Sequence, residues 1–329
     1  MSANAASRLL QHYVDNFRRL PWRSPPGSPP PEPYRVWLSE VMLQQTTVAA
    51  VTPRFERFLE RWPTIEALAA APGADVMQEW AGLGYYARAR NLTACARTVA
   101  VLGGFPRDEA GLRDLPGVGT YTAAAVAAIA FGEAVVPVDT NVERVVARLH
   151  ALTDRSEIPA FAQAMLPKGR AGDFAQAMMD LGASICRPKA PLCNQCPLAM
   201  DCEAFALGTP EAFPAPKPKK VRPKRYGTAW WIERDGHVWL VRRPARGMLG
   251  GMAALPGPDW QDEPVTANAI ARVTHVFTHF ALELAIAPVA EPQGEGWWQP
   301  IDRLSEAGLP TLYRRAAEAA LARMTAIAA

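Results

Sequence analysis

The chain has 329 residues, 49% of them hydrophobic and 20% charged, with a formal net charge of +3. That length suits more than one domain, and the apolar content supports full cores. The longest strongly apolar run, Ala123 to Phe131, is far short of the ~20 residues that span a bilayer. Residues 1–11 lack the charged-then-apolar pattern of a secretory signal, so the expected protein is soluble and cytoplasmic.

Residues 8–20 read as an amphipathic helix with Leu9, Leu10, Tyr13, Val14 and Phe17 on one side. Leu20-Pro21-Trp22-Arg23 ends it, and a Pro-rich loop runs to Pro33. On its own, Trp22 reads as a plug at a core edge. The next stretch, Tyr34 to Thr46, places Glu40 inside a predominantly apolar helix, where an unpaired carboxylate is costly to bury. A surface-facing Glu fits the periodicity; against that, Glu40 shares a face with Trp37, Gln44 and Thr47, the company a pocket would keep. Helical patterns over 53–80 break at Pro63 and Pro72-Gly73. Gly82-Leu83-Gly84-Tyr85-Tyr86 then makes an exposed turn, with Arg88 and Arg90 able to reach phosphates. Ala89 to Val101 is helical, with Cys95 as a small buried hydrophobe.

The stretch from Leu115 to Arg148 organises the rest. Leu115-Pro116-Gly117-Val118-Gly119 is a tight turn whose glycines are expected to take positive φ, and an Ala-rich helix follows directly. Free amides of Gly117, Val118 and Gly119 at a helix N-terminus make an anion site. After Gly132 comes Val136-Pro137-Val138-Asp139 and a second helix with Val142, Val145, Val146 and Leu149 on its apolar face. Alone, Asp139 is an N-cap; its pairing with the glycine turn points further.

Residues 159–185 carry another helical pattern with Gln176, followed by Cys186, Cys193, Cys196 and Cys202. Four thiols at this spacing suit one tetrahedral ion or a cubane cluster, and spacing alone does not separate the two. Residues 208–225 hold five prolines and six basic residues and read as an extended, poorly packed connector. From Tyr226 the period changes: Thr228–Ile232 and His237–Arg242 read as a β-hairpin around Arg234-Asp235-Gly236, His275 to Phe280 as the start of a further strand, and Leu309 to Ala328 as a terminal helix.

The glycine turn followed by Val-Pro-Val-Asp139 resembles the helix-hairpin-helix, Gly-Pro-Asp superfamily of DNA glycosylases. Ser39-Glu40-Val41-Met42-Leu43-Gln44-Gln45-Thr46 and the run from Gly82 to Leu92 resemble its adenine-specific, MutY-type branch. Two domains are implied: an all-α helix-hairpin-helix glycosylase domain (1–207) with a four-Cys iron–sulfur cluster, and, after the connector (208–225), an α/β Nudix-like lesion-recognition domain (226–329). The resemblance implies Glu40 as general acid and base, Asp139 as the stabiliser of the sugar cation, and Tyr121 and Asn141 as their helpers. Trp22, Arg23 and Gln176 would line the base pocket, Gln45 and Tyr85 would wedge into the stack, and Arg88 would bind the strand with the hairpin. Cys186, Cys193, Cys196 and Cys202 would hold a [4Fe–4S] cluster, because the branch carries this spacing around one. Residues 243–252 resemble the strand and loop before a Nudix box, but the clustered glutamates of the box are missing, which argues against pyrophosphatase chemistry. Thr278 and His279 fall where the branch reads 8-oxoguanine, with Thr278 in place of the usual Ser. The implied substrate is double-stranded DNA with adenine opposite 8-oxoguanine or guanine, acted on by a monomer without a membrane. A thymine-glycol type endonuclease III would place a Lys where Tyr121 stands, and a purely DNA-binding module would need neither Glu40 nor Asp139.

Overall fold

The computed structural model describes residues 3–215, 222–244, 247–266, 268–292 and 294–328. The connector's Lys217, Lys219 and Lys220 and the Ala245-Arg246 pair lie outside them. The chain divides into two compact units, Met1–Gly73 with Arg90–Pro218, and Ala74–Ala89 with Lys219–Ala329.

The helices in chain order are α1 (Ala3–Asp15), α2 (Pro33–Leu43), α3 (Val48–Arg61), α4 (Ile65–Ala70), α5 (Gly73–Glu79), α6 (Ala87–Leu102), α7 (Glu109–Arg113), α8 (Thr120–Phe131), α9 (Thr140–Leu149), α10 (Ile158–Ala164), α11 (Ala171–Ser184), α12 (Glu203–Ala206) and α13 (Thr311–Ala328). The first unit is helical. Its core gathers Leu9 and Tyr13 of α1, Val142, Val145 and Val146 of α9, and Phe174, Met178 and Leu181 of α11. Val14, expected on the apolar side of α1, is 43% exposed instead, because α1 ends one residue later and only one stripe of it meets α11.

Alanines make α8 thin enough to be buried nearly all round, from Thr122 to Ile129, and it packs against α2, α7 and α11. Pro33 at the start of α2 presets its first turn. Thr47 caps α3 through its side chain rather than extending α2, so it leaves the face that Glu40 shares with Trp37. Residues 210–215 are pinned rather than loose: Arg148 Nε donates to Phe213 O (3.0 Å), Arg155 Nη2 to Ala215 O (2.7 Å), and Ala190 N to Glu211 Oε1 (2.9 Å).

The second unit holds two sheets built from β1 (Lys224–Trp231), β2 (Glu233–Arg234), β3 (His237–Arg242), β4 (Ala253–Ala254), β5 (Ala271–Val276), β6 (Ala281–Pro288) and β7 (Gly296–Pro300). One runs β1-β6-β5 and the other β2-β3-β4, with β7 also paired to β3. The hairpin at Asp235-Gly236 joins β2 to β3, whereas β1 runs parallel to β6 with Thr228 opposite Ala285. His275 and Val276 therefore end β5, and Phe277 N–H closing on Phe280 O (2.8 Å) makes the turn to β6. Between the sheets and α13 lie Trp231, Val238, Leu240, Leu282, Leu284, Ile286 and Ala316, all within 2% of full burial.

Candidate active site

The site assembles where α2, α8, α9 and α11 of the first unit present polar groups from otherwise apolar faces. Glu40, two turns into α2, is 7% exposed. It meets the first turn of α8, where Tyr121 Oη donates to Glu40 Oε2 at 2.8 Å and lies 3.9 Å from Met179 Sδ of α11. Gln44 Nε2, one turn further along, donates to Thr122 Oγ1 at 3.2 Å and ties the same two helices together.

Burial pushes the Glu40 carboxyl up from its ordinary 4.5 to about 7; the Tyr121 hydrogen bond and the Arg23 charge pull it down, and the Asp139 carboxylate pushes it up. Desolvation of the charged form wins, as it does for a carboxyl in an apolar setting. Tyr121 is held well above its ordinary value, first by burial and then by Glu40 and Asp139. It is therefore a hydrogen-bond donor throughout the physiological range.

Asp139 is the N-cap of α9: Oδ1 accepts from Asn141 N (2.9 Å) and Val142 N (2.7 Å), and Oδ2 from Asn141 Nδ2 (2.9 Å). The cap does not compete with a chemical role; it fixes the carboxylate. Asn141 is fixed in turn, because its Oδ1 accepts from Arg144 Nη2 (2.9 Å). Arg144, buried and lowered in pKa first by that desolvation, also donates to Gly182 O (2.6 Å) and Cys186 O (2.7 Å). Gly182 has to be glycine: a Cβ there would stand 2.6 Å from Asn141 Cβ.

Trp22 and Arg23 lie at the same end of the unit. Trp22 is 5% exposed and packs edge-on to Phe55 with ring centroids 5.2 Å apart, filling the core margin. Arg23 forks onto Asp180 of α11, Nη1 to Oδ2 at 2.6 Å and Nη2 to Oδ1 at 3.0 Å. Gln176, Met179 and Asp180 stand at i, i+3 and i+4, one face of α11. Gln176 Nε2 donates to Gly172 O (3.1 Å), and its Oε1 is buried with no protein partner. A buried acceptor left open is costly unless something else fills it.

The turn before α8 has Gly117 at φ +74°, where a Cβ would also strike Asn91 Cβ at 2.5 Å. Gly119 departs from expectation: it caps α8 at φ −89°, in extended backbone. Val118 is buried and its N–H closes on Leu115 O (3.1 Å). The first-turn amides of α8 have no intrahelical acceptor, as at any helix start. Gln45, past the end of α2, is exposed with φ +55°. Tyr85 in the second unit is 49% exposed with φ +47°. Such conformations cost about 1–3 kcal/mol in non-glycine residues and persist where surroundings impose them. Arg88 braces Tyr85 instead of extending outward. Its Nη2 donates to Leu83 O (3.0 Å), its guanidinium lies over the Trp80 and Tyr85 rings, and burial lowers its pKa to about 10.

In the same unit, Thr278 and His279 are exposed at the β5–β6 turn, with Phe277 and Phe280 turned inward on either side. Phe277 stacks on Trp260 at 5.5 Å, and Arg243 lies over the Trp260 ring at 4.9 Å. Thr278 Oγ1 is 3.3 Å from Tyr85 Oη.

Cys186, Cys193, Cys196 and Cys202 are free and half-buried on one loop. Among the described residues no three His, Cys, Asp or Glu side chains converge tightly enough to hold a metal ion, so the expected four-Cys site is not closed. Arg148 of α9 touches two of them: Nη1 donates to Cys186 Sγ and its carbonyl oxygen accepts from Cys202 Sγ, both at 3.4 Å. The donor chemistry nonetheless suits a sulfur-ligated group. The four sulfurs act on one another electrostatically, and burial holds Cys196 at about 12.

A profile of HhH-GPD superfamily base excision DNA repair proteins matches residues 38–168, and one of the NUDIX domain matches 228–319. The human adenine DNA glycosylase is 36% identical over 311 residues, covering 77% of this chain and 57% of the human protein. The mouse protein of the same name is 34% identical over 88% of this chain and 73% of its own length. That of Mycolicibacterium smegmatis is 41% identical over 61% and 70%. Among solved structures, a thermostable thymine-DNA glycosylase superposes with a TM-score of 0.56 at 29% identity, over 61% of this chain and 95% of that one. Endonuclease III in a non-covalent DNA complex gives 0.52 at 27%, over 62% and 94%. The chain belongs to the adenine DNA glycosylases of the HhH-GPD base excision repair superfamily.

Proposed function

We propose that this chain is a monofunctional adenine DNA glycosylase, acting as a cytoplasmic monomer on double-stranded DNA and releasing adenine paired with 8-oxoguanine or guanine. The single observation that carries the reading is the buried Glu40 carboxyl, raised to about 7 and hydrogen-bonded to Tyr121 at 2.8 Å. A carboxyl so poised is protonated for much of the time near neutrality and can act as a general acid.

Neutral deoxyadenosine has a poor leaving group. Glu40 donates its proton to N7 of the extruded base, and the C1′–N9 bond breaks as the base leaves neutral. The electron deficiency left on the sugar is oxocarbenium-like, and Asp139 stabilises it electrostatically. Asn141 holds Asp139 through a 2.9 Å hydrogen bond, so the carboxylate does not have to reorganise. Tyr121 keeps Glu40 in place and has no amine with which to form a Schiff base. The endonuclease III-like lyase alternative needs that amine. Water then adds to the sugar cation and returns a proton to Glu40.

Extrusion of the base costs a few kcal/mol, less at a mispair. Gln45 and Tyr85, exposed and already in left-handed conformations, serve as wedges. The turn at Gly117–Gly119 presents the first-turn amides of α8 to the strand, while the Val118 N–H stays on Leu115 O. Gln176 Oε1 accepts from the N6 amine of the base, with Trp22 and Arg23 framing the pocket. Thr278 and His279 read 8-oxoguanine, whose N7–H distinguishes it from guanine. The four cysteines would hold a [4Fe–4S] cluster, which when bound supplies a rigid, sulfur-ligated clamp for the loop that α9 grips through Arg148.

Single-turnover base release from a duplex with adenine opposite 8-oxoguanine or guanine tests this. Adenine should appear while the abasic strand stays intact until alkali is added. Release of thymine glycol with strand scission, or no release at all, would refute it.

A further inference from the structure

We infer that Gln44 is a positioning residue for the wedge: its hydrogen bond to Thr122 pins the turn that holds Gln45 outward, ready to enter the base stack. The inference rests on the wedge role of Gln45 proposed above.

Residues Leu43 to Thr46 form a four-residue turn closed by Thr46 N–H on Leu43 O at 3.2 Å. Gln44 at φ −56° and ψ 114°, followed by Gln45 at φ +55°, follows the backbone pattern of a type II turn. That turn favours glycine or asparagine at its third position, because these take positive φ most readily. Gln45 is neither, and it is exposed. A glycine would sit there without strain but bring no side chain to place between bases. The turn therefore displays a polar side chain on a backbone that would relax if released, and something outside the turn has to hold it.

Gln44 supplies that hold. It lies one turn beyond Glu40 on the same face of α2. Its Nε2 donates to Thr122 Oγ1 at 3.2 Å, a partner 78 residues away. Thr122 is the one polar side chain in the buried run Thr122–Ile129 of α8, and it is 2% exposed. Its hydroxyl is therefore rigidly placed, and a buried hydroxyl keeps the partner it has. The turn is also stitched internally, Thr46 Oγ1 to Gln44 O at 3.2 Å, so fixing Gln44 fixes its neighbours. On the far side Thr47 caps the start of α3. Between one helix end and the next helix start, the Gln44–Thr122 bond sets the turn against α8, whose first turn carries Tyr121. The wedge is thus ordered before DNA arrives, which removes an ordering cost from base extrusion.

The test uses the full-length, cluster-loaded protein and a duplex with adenine opposite 8-oxoguanine. The duplex carries 2-aminopurine beside the 8-oxoguanine, where its fluorescence rises as the stack opens. Thr122→Val keeps nearly the same shape and removes the acceptor. Stack opening and single-turnover release should each fall about three- to tenfold, the worth of one hydrogen bond. Thr122→Ser should restore both. On a duplex in which the adenine faces an abasic site, with no pair to break, release by Thr122→Val should approach wild type. Gln45→Ala should show the same defect on the mispair, and adding Thr122→Val to it should cost nothing more, because both act through the wedge. Equal losses on paired and unpaired adenine, or additive losses in the double variant, would make the bond a structural tie between α2 and α8 and overturn the inference. If Thr122→Val does not fold, Gln44→Leu, at a half-buried position, decides by the same comparison with Gln45→Ala. If Gln45→Ala opens the stack as well as wild type, the wedge reading fails and the inference falls with it. If wild type releases no adenine, the catalytic reading fails, and the fluorescence measurements alone decide whether Gln44 positions the wedge.

Discussion

Replacing Glu40 by Gln should stabilise the protein while removing its activity, and the two effects have one origin. The native site holds the Glu40 carboxyl at about 7 against an ordinary 4.5. Below pH 4.5 the side chain is protonated folded or unfolded, so there is no penalty. As pH rises the unfolded chain gives up this proton first, and stability is lost progressively until pH passes the folded value near 7. At 1.36 kcal/mol per pH unit, the deficit reaches up to about 3 kcal/mol above pH 7. Glu40→Gln cannot ionise, and its amide oxygen still accepts from Tyr121. Its stability relative to wild type should thus rise from near zero at pH 4.5 to roughly 3 kcal/mol at pH 8. In the same variant, single-turnover release should fall by about 10²–10⁴-fold, the usual worth of a positioned acid. Thermal melts of wild type and variant across pH 4.5–8, at matched cluster content, measure the first effect. A stability difference that does not change with pH would show that Glu40 is not held neutral by burial. The acid role would then lose its physical basis even if the variant were inactive.

Asp139→Asn should keep the fold and DNA binding, because an amide oxygen can still cap α9, yet lose base release in single-turnover assays; near wild-type release would remove Asp139 from the chemistry. Gly117→Ala should weaken duplex binding at least tenfold in a titration and lower the melting temperature, since φ +74° and Asn91 Cβ at 2.5 Å both oppose a methyl group. Cys196→Ser should lose iron and yellow-brown colour together, whereas a colourless, fully active wild type with one bound zinc would refute the cluster. Thr278→Val should leave release opposite guanine unchanged and cut the preference for 8-oxoguanine by about ten- to a hundredfold, the worth of ~1–3 kcal/mol of hydrogen-bond discrimination; an unchanged preference would leave the β5–β6 turn without a reading role.

What the sequence made legible was local. A carboxylate inside an apolar helix marked Glu40, a glycine turn opening an Ala-rich helix marked the hairpin, and Asp before Thr140 marked a cap. Each signal sits within a few residues of its cause. What stayed hidden was joined across the chain. The Tyr121–Glu40 bond spans 81 residues and exists because alanines let α8 lie close to α2. The strand at Thr228 alternates as a hairpin arm should, but its partner is parallel and lies in β6, a pairing that no local period encodes. Residues 210–215 read as loose because their anchors are backbone carbonyls, which every residue has and no sequence advertises. Asp180 is different, because its signal was present. The argument that singled out Glu40, a charge too costly to bury unpaired, applies equally to an Asp among the Ala, Met and Leu of α11, and Arg23 was the buried cation needing a partner. Two such charges far apart in sequence, each unaffordable alone, are mutual evidence of contact. Read that way, the sequence would have paired Arg23 with Asp180, as the fork on α11 does.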